Sequence, residues 1–516
     1  MYPNEHTHSV HNAHRCCGCS ALDIVELNRR GFLEGAVLGG TVLSGLAWPA
    51  LAVANQGELP LPPPRRPLVV KPVLIYSVPT RQSQTSWRSW GGIETEADAR
   101  NERARINAEL EKIGGKADFP VKFLAVAPVK SVQSIRELAD LKDADVLLVY
   151  AAGGEVTGVE TLGKDVIFFL RHRSGPVSLW YEIVSPRLLR KHTDDPKIRS
   201  IDAGDVVVDN LEELTWRLRS LCGLVNTQGA RIVAVGGPGA WAHGKDVVDM
   251  VKAKWRLDIR ELPYDELGSL IKTARADHAA VALAKHRAEA YLKLPGTSLE
   301  TAKPFVQNAM LLDQVFRGVL ADQKCRMITI NACMGTIMPI SETTACLPLS
   351  TLNDDGYLAF CESDFVVIPA GILMASISGH PMFLNDPTYP HDGLITLAHC
   401  TAPRKLDGKT IEPARILTHF ESDYGAAPKV EMRVGQQVTC IIPDFSGKRW
   451  VGFLGEIAAH PFLPVCRSQI DVKFTCDSQT LAEHMPGFHW MVVYGNYLRE
   501  AGYALKKVPI TIEKMA

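Results

Sequence analysis

Two carboxylates and one imidazole stand out for the residues beside them. Glu362 lies in Cys361-Glu362-Ser363-Asp364, directly ahead of the apolar run Phe365-Val366-Val367-Ile368. Asp386 follows the run Pro381-Met382-Phe383-Leu384-Asn385, 24 residues further on. His489 sits in Gly487-Phe488-His489-Trp490-Met491-Val492-Val493-Tyr494, far downstream. Acids at the ends of buried segments are unfavourable unless a cation or hydrogen-bond donors hold them. Two carboxylates and an imidazole suit a divalent cation with positions left open for water or substrate. Each residue also has a plainer reading. Glu362 would cap a helix over 365–377, Asp386 would start the turn before Pro387, and His489 would be a buried histidine with satisfied hydrogen bonds.

Other residues could support or extend such a centre. Asp364, His380, His391, Asp392 and His399 are near the two acids in sequence and are candidates to orient the ligands, Asp392 and His399 ahead of the rest. Asp392 and His399 are also candidate substrate contacts, as is Trp490, whose ring either stacks on a ligand or packs in a core. Trp87, Arg88 and Trp90 lie in the segment after the first strand, where ligand loops of α/β folds commonly sit. Two indoles and a guanidinium suit a polyol, or alternatively a packed subunit interface. The turn Gly236-Gly237-Pro238-Gly239 lacks the Gly-x-Gly-x-x-Gly spacing, and Pro238 removes a backbone N–H that a phosphate cradle would use. It reads as a strand-to-helix connection.

The elements that must position these residues follow from the pattern of apolar runs. Val73–Ser77, Val121–Val126 and Asp145–Tyr150 read as buried parallel strands, with helical spacing over 97–113 and 131–141 between them. A second alternation runs from Ala230–Val235 to the strand Met327–Ala332, through helices over 244–256, 265–291 and 301–322. Beyond about residue 405 come short strands at 416–419, 430–434, 438–442, 450–455 and 470–474, which suggest an antiparallel barrel or sandwich. The chain then returns to helix over 494–506. The expected organisation is α/β: two Rossmann-like domains with parallel sheets over 69–222 and 223–400, then a C-terminal β-barrel domain over 401–516.

The motifs around Glu362, Asp386 and His489 resemble those of the L-fucose/L-arabinose isomerase superfamily, closest to its fucose-isomerase branch. The resemblance rests on residues 325–400 and 484–500, with the layout agreeing from about residue 70 onward. It implies that Glu362, Asp386 and His489 bind Mn2+ or another divalent metal, and that Glu362 and Asp386 carry protons. It further implies aldose–ketose isomerisation of a monosaccharide through an ene-diolate, and a homo-oligomer, trimer or hexamer, in which the first domain reaches a neighbour's site. Met485 departs from the branch, which tends to carry a polar sugar-contacting residue there, so the resemblance extends to the metal centre more than to L-fucose. Two other classes stay open: an exported sugar-binding protein, and an epimerase or lyase built on the same three residues.

Composition narrows the partners. A chain of 516 residues exceeds one ordinary core, so several domains are expected. A net charge of −1 gives no reason to expect nucleic acid or an anionic membrane. The segment Leu27-Asn28-Arg29-Arg30-Gly31-Phe32-Leu33 matches the twin-arginine export pattern. An apolar Gly- and Ala-rich run over 36–47 and small residues at Ala50, Ala52 and Ala54 follow it. Residues 1–54 therefore read as a removable leader, 55–68 as a Pro-rich linker, and the working protein as periplasmic, with no membrane contact after cleavage. Of the twelve cysteines three lie in that leader, and the odd, scattered remainder does not read as a disulfide framework.

Overall fold

Near-continuous apolar strands need both faces covered, and that requirement shapes the first half of the molecule. The computed structural model describes residues 59–88, 92–176 and 201–515; the leader and Trp90 lie outside them. The first sheet comprises β1 (Leu68–Tyr76), β2 (Val121–Phe123), β3 (Ala127–Val129), β4 (Val146–Ala152), β5 (Asp165–Leu170) and β6 (Val206–Val208). Its order is β2-β1-β4-β5-β6, with β3 also on β1, and every pairing is parallel. All of β4 is buried, as a central strand covered on both sides must be. The helix Glu96–Lys116 starts at a reciprocal cap, in which Thr95 accepts from the Asp98 N–H and Asp98 accepts from the Thr95 N–H.

The second unit uses β7 (Arg231–Val235), β8 (Asp258–Leu262), β9 (Thr297–Leu299), β10 (Met327–Ile330) and β11 (Leu358–Cys361). Four of these form a parallel sheet in the order β11-β10-β7-β8. The helix expected over 265–291 is two, Tyr264–Ala276 and His278–Leu292. Asp277 breaks it, because its side chain accepts from the N–H groups of Ala279 and Ala280 and so starts the second helix.

The last unit has β12 (Phe383–Pro387), β13 (Leu394–His399), β14 (Ala414–Leu417), β15 (Ala427–Val430), β16 (Gln437–Pro443), β17 (Arg449–Ala459), β18 (Ser468–Lys473), β19 (Trp490–Tyr494) and β20 (Thr511–Met515). Six of them close an antiparallel barrel, β16-β19-β12-β13-β18-β17 and back to β16. Outside the barrel, β20 runs parallel to β17, and β15-β14-β9 form a small sheet. The α/β architecture with a C-terminal barrel is thus as expected, while several edges move. The barrel begins at Phe383, ahead of residue 401, so Asp386 and His399 stand on barrel strands. The strand expected over 430–434 ends at Val430, and the stretch expected as helix from 494 is strand up to Tyr494, with the helix at Leu498–Lys506.

The helix Leu211–Thr227 runs across the boundary expected at 222. It packs against the helix Ile368–Ser378, which lies between β11 and the barrel. Gly223 permits that approach: a Cβ there would stand 2.3 Å from Ile377 Cγ1 and 3.2 Å from the Ile377 backbone N. One contact surface therefore fastens the last helix of the first unit to the element that directly follows Glu362.

Candidate metal centre

Glu362 stands at the carboxyl end of β11, the edge of a parallel sheet where ligands bind. Both Glu362 and Ser363 are left-handed, with φ of 63° and 47°. For non-glycine residues this conformation costs about 1–3 kcal/mol each and persists only where surrounding contacts impose it. The imposing contacts are visible. Gly239, in the Gly-rich turn after β7, donates its N–H to Ser363 O at 3.0 Å and accepts from the Phe365 N–H at 2.9 Å. The turn is a strand-to-helix connection, as expected, and it also grips the segment that carries Glu362.

The barrel brings in the other two residues. Antiparallel pairing sets Asn385 of β12 opposite Trp490 of β19. Continuing that register by one residue puts Asp386 opposite His489, just before β19. Glu362 Oε2 and Asp386 Oδ1 lie 3.1 and 3.2 Å from His489 Nε2. The His489 side chain is fully buried, while those of Glu362 and Asp386 keep 10% and 13% exposure, so solvent reaches the acids alone. Three residues separated widely in sequence therefore converge on one point.

His489 Nδ1–H donates to Asp364 Oδ2 at 2.7 Å. Asp364 Oδ1 accepts from the Val366 N–H at 2.9 Å, so Asp364, rather than Glu362, shapes the turn into the following helix. A carboxylate on Nδ1 fixes the tautomer and turns the Nε2 lone pair toward Glu362 and Asp386, the arrangement of metal-bound histidines. His489 Nε2, Asp386 Oδ1 and His399 Nε2 are all buried without a hydrogen-bond partner. The 3.1 and 3.2 Å approaches are thus close but not aligned as hydrogen bonds. Ligands about 2.1 Å from an octahedral cation lie about 3 Å from one another, and the two distances to His489 Nε2 have that spacing.

His399 Nε2 is 3.7 Å from Glu362 Oε1, and its Nδ1 is 3.0 Å from Thr401 Oγ1. Ligand atoms of Cys361, Glu362 and His399 lie within 4.8 Å of one another. Hydrogen bonding with Cys333, then burial, holds the Cys361 thiol well above its usual range, so it stays a neutral neighbour. Burial opposes ionisation of Glu362, but the imidazoles of His399 and His489 close beside it outweigh burial and keep its pKa low. Burial pushes the Asp386 carboxyl up. A divalent cation between them would favour the ionised form of both acids.

The remaining expected contacts are placed elsewhere. Asp392 is at the exposed turn between β12 and β13, beside His391. Trp490 is fully buried, with its ring edge-on to Phe453 at 5.8 Å, and so belongs to the barrel core instead of presenting a face to a ligand. Trp87 and Arg88 belong to the first unit. Arg88 lies over the Trp87 ring and pairs with Glu94 at 3.3 Å, with no contact to the three converging residues. Sequence reasoning missed Trp241. It is 36% exposed, stacked on Phe488 at 4.3 Å and edge-on to His489 at 6.1 Å. Its position directly after the Gly-rich turn at the end of β7 was the available signal. No protein-family model matches this chain, and no curated protein matches it.

Proposed function

We propose that this protein is a metal-dependent aldose–ketose isomerase acting on a monosaccharide. The observation that carries the reading is the meeting of Glu362 Oε2 and Asp386 Oδ1 at His489 Nε2, with Nδ1 of the same ring tied to Asp364. A divalent ion of the Mn2+ class, when bound, supplies the positive charge that polarises the sugar carbonyl and its neighbouring hydroxyl. Glu362, Asp386 and His489 would hold it, and Asp364 orients the imidazole. Glu362 and Asp386 would then share the proton transfers: the C2 proton is taken by one carboxylate, a proton is returned at C1, and the O2 hydroxyl proton passes to O1, leaving no net change. The Trp241–Phe488 pair offers an aromatic face for sugar C–H groups beside this point. Trp87, Arg88 and Trp90 would act on a neighbouring copy's site in an oligomer, as the family resemblance implies, and the leader pattern makes the working protein a periplasmic one.

The test is proton NMR of an aldose panel in D2O with the Mn2+-loaded protein. Deuterium appearing at C1 or C2, with aldose–ketose conversion, is the expected result. Glu362→Gln and Asp386→Asn should lose turnover by orders of magnitude without rescue by added Mn2+. His489→Ala should lose metal affinity and regain part of its activity at excess Mn2+. Exchange without conversion would make the protein an epimerase or lyase, and tight sugar binding without exchange would make it a binding protein.

A further inference from the structure

A second cluster of ligand-type side chains lies behind the first, and the proposed reaction does not use it. Cys346 opens the helix Cys346–Asp354, Cys400 directly follows β13, His419 follows β14 and Cys466 precedes β18. The ligand atoms of Cys346, Cys400 and His419 all lie within 4.8 Å of one another. Cys466 adjoins the group: it is in hydrogen-bond reach of Cys400 and packs in one buried cluster with Cys346 and Cys400. All four are buried, with exposures of 6%, 2%, 3% and 6% for Cys346, Cys400, His419 and Cys466.

We propose that Cys346, Cys400, Cys466 and His419 form a closed, four-coordinate site for a thiophilic metal ion of the zinc class. Ligands on zinc at tetrahedral angles, about 2.3 Å away, stand about 3.8 Å apart, which Cys346, Cys400 and His419, mutually within 4.8 Å, accommodate. Three sulfurs and one imidazole, with no carboxylate among them, select zinc over the harder ions that suit Glu362 and Asp386. The surroundings are built for it. The Arg467 N–H donates to Cys400 Sγ at 3.4 Å, and Ser422 Oγ lies 3.4 Å from His419 Nδ1. The Arg467 guanidinium donates to Thr418 O at 2.7 Å and to Thr418 Oγ1 at 3.2 Å, fastening the segment of Cys466 to that of His419. Thr344 Oγ1 donates to Ala426 O at 3.0 Å, which ties in the segment of Cys346. A metal here joins three barrel-side segments to the α/β unit and fixes Cys400, the neighbour of His399. Its role is structural, because four protein ligands leave no open position.

The experiment uses the full chain purified from zinc-supplied cells. We expect a single zinc per chain by elemental analysis, released to a chromogenic chelator when a mercurial titrates the thiols. Co2+ in its place should give thiolate-to-metal charge-transfer absorption and the intense visible bands of a tetrahedral ion. Cys400→Ser and His419→Ala should lose the zinc, while Glu362→Gln should keep it, so failure of the isomerase reading leaves this result intact. The zinc release and the Co2+ spectrum are read on the unaltered protein and do not depend on variants that fold. Zinc-free protein with freely titrating thiols, a disulfide among the three cysteines, or a Co2+ spectrum without thiolate charge transfer would each overturn the proposal.

Discussion

Replacing Asp364 by Asn tests the centre without touching a residue that meets the cation. The Asp364 carboxylate makes two bonds, accepting the Val366 N–H on Oδ1 and the His489 Nδ1–H on Oδ2. An amide has one oxygen and cannot satisfy both. If the amide oxygen stays on the Val366 N–H, the NH2 group faces Nδ1, the ring proton moves to Nε2, and the lone pair needed for a cation is gone. If the oxygen faces Nδ1–H, the NH2 group opposes the Val366 N–H, and the turn into the helix Ile368–Ser378 loses its bond. The first arrangement weakens metal binding by about 10–100-fold, or about 1.4–2.8 kcal/mol. The second leaves a buried donor unpaired at about 1–3 kcal/mol of stability. Titration of Mn2+ followed by the paramagnetic resonance of the free ion measures the first, and thermal unfolding of the metal-free protein measures the second. Wild-type affinity together with wild-type stability in Asp364→Asn would refute the assignment of Asp364 as the group that sets the His489 tautomer.

Metal affinity should also rise with pH. Burial disfavours protonated His489, but the hydrogen bond to Asp364 and the nearby Glu362 and Asp386 carboxylates outweigh it and lift its pKa well above the usual value. In metal-free protein its stabilisation is therefore full below about pH 6.5 and lost as pH climbs through the raised value. Because a cation replaces the Nε2 proton, Mn2+ binding across that window should release protons; calorimetry showing no dependence on buffer ionisation would contradict this. Trp241→Ala should raise the sugar KM about 2–10-fold, from the loss of about 0.5–1.5 kcal/mol of aromatic contact, with Mn2+ content unchanged. Gly223→Ala sets up to about 1 kcal/mol of gained helix propensity against about 1–3 kcal/mol of overpacking on Ile377. A lower melting temperature is expected, and a rise would show that Ile377 yields more readily than its backbone contact suggests.

The converging residues were legible because each closes or precedes an apolar run, and the ends of buried strands are where a polar group is both awkward and useful. The α/β order and the barrel were legible for the same reason, since run length and spacing separate strand from helix. Asp392 and Asp364 could not be ranked correctly, because the direction in which a hairpin turn aims its side chains depends on backbone torsions such as the φ of 51° at Asp392. Trp490 was decidable in principle: consecutive residues of an extended segment point to opposite sides, so a neighbour of His489 should not share its surface. The break at Asp277 was also readable as an N-cap between two helical patterns. The Cys346–Cys400–Cys466–His419 group was not, because its members come from four separate segments with no local spacing to announce them.

Ring closure gives the centre a property that an open sheet would lack. Slipping one strand by a single residue exchanges the two faces of that strand, and here it would carry His489 away and present Trp490 to Asp386. In an open sheet an edge strand can slide by breaking one ladder. In this closed six-stranded ring β19 is held by β12 on one side and β16 on the other, so sliding must break both at once. Ligand spacing is thereby set by topology as much as by the residues touching the ion. Substitutions scattered over the outer wall of the barrel can erode its stability while the alignment of Asp386 with His489 survives until the ring itself opens.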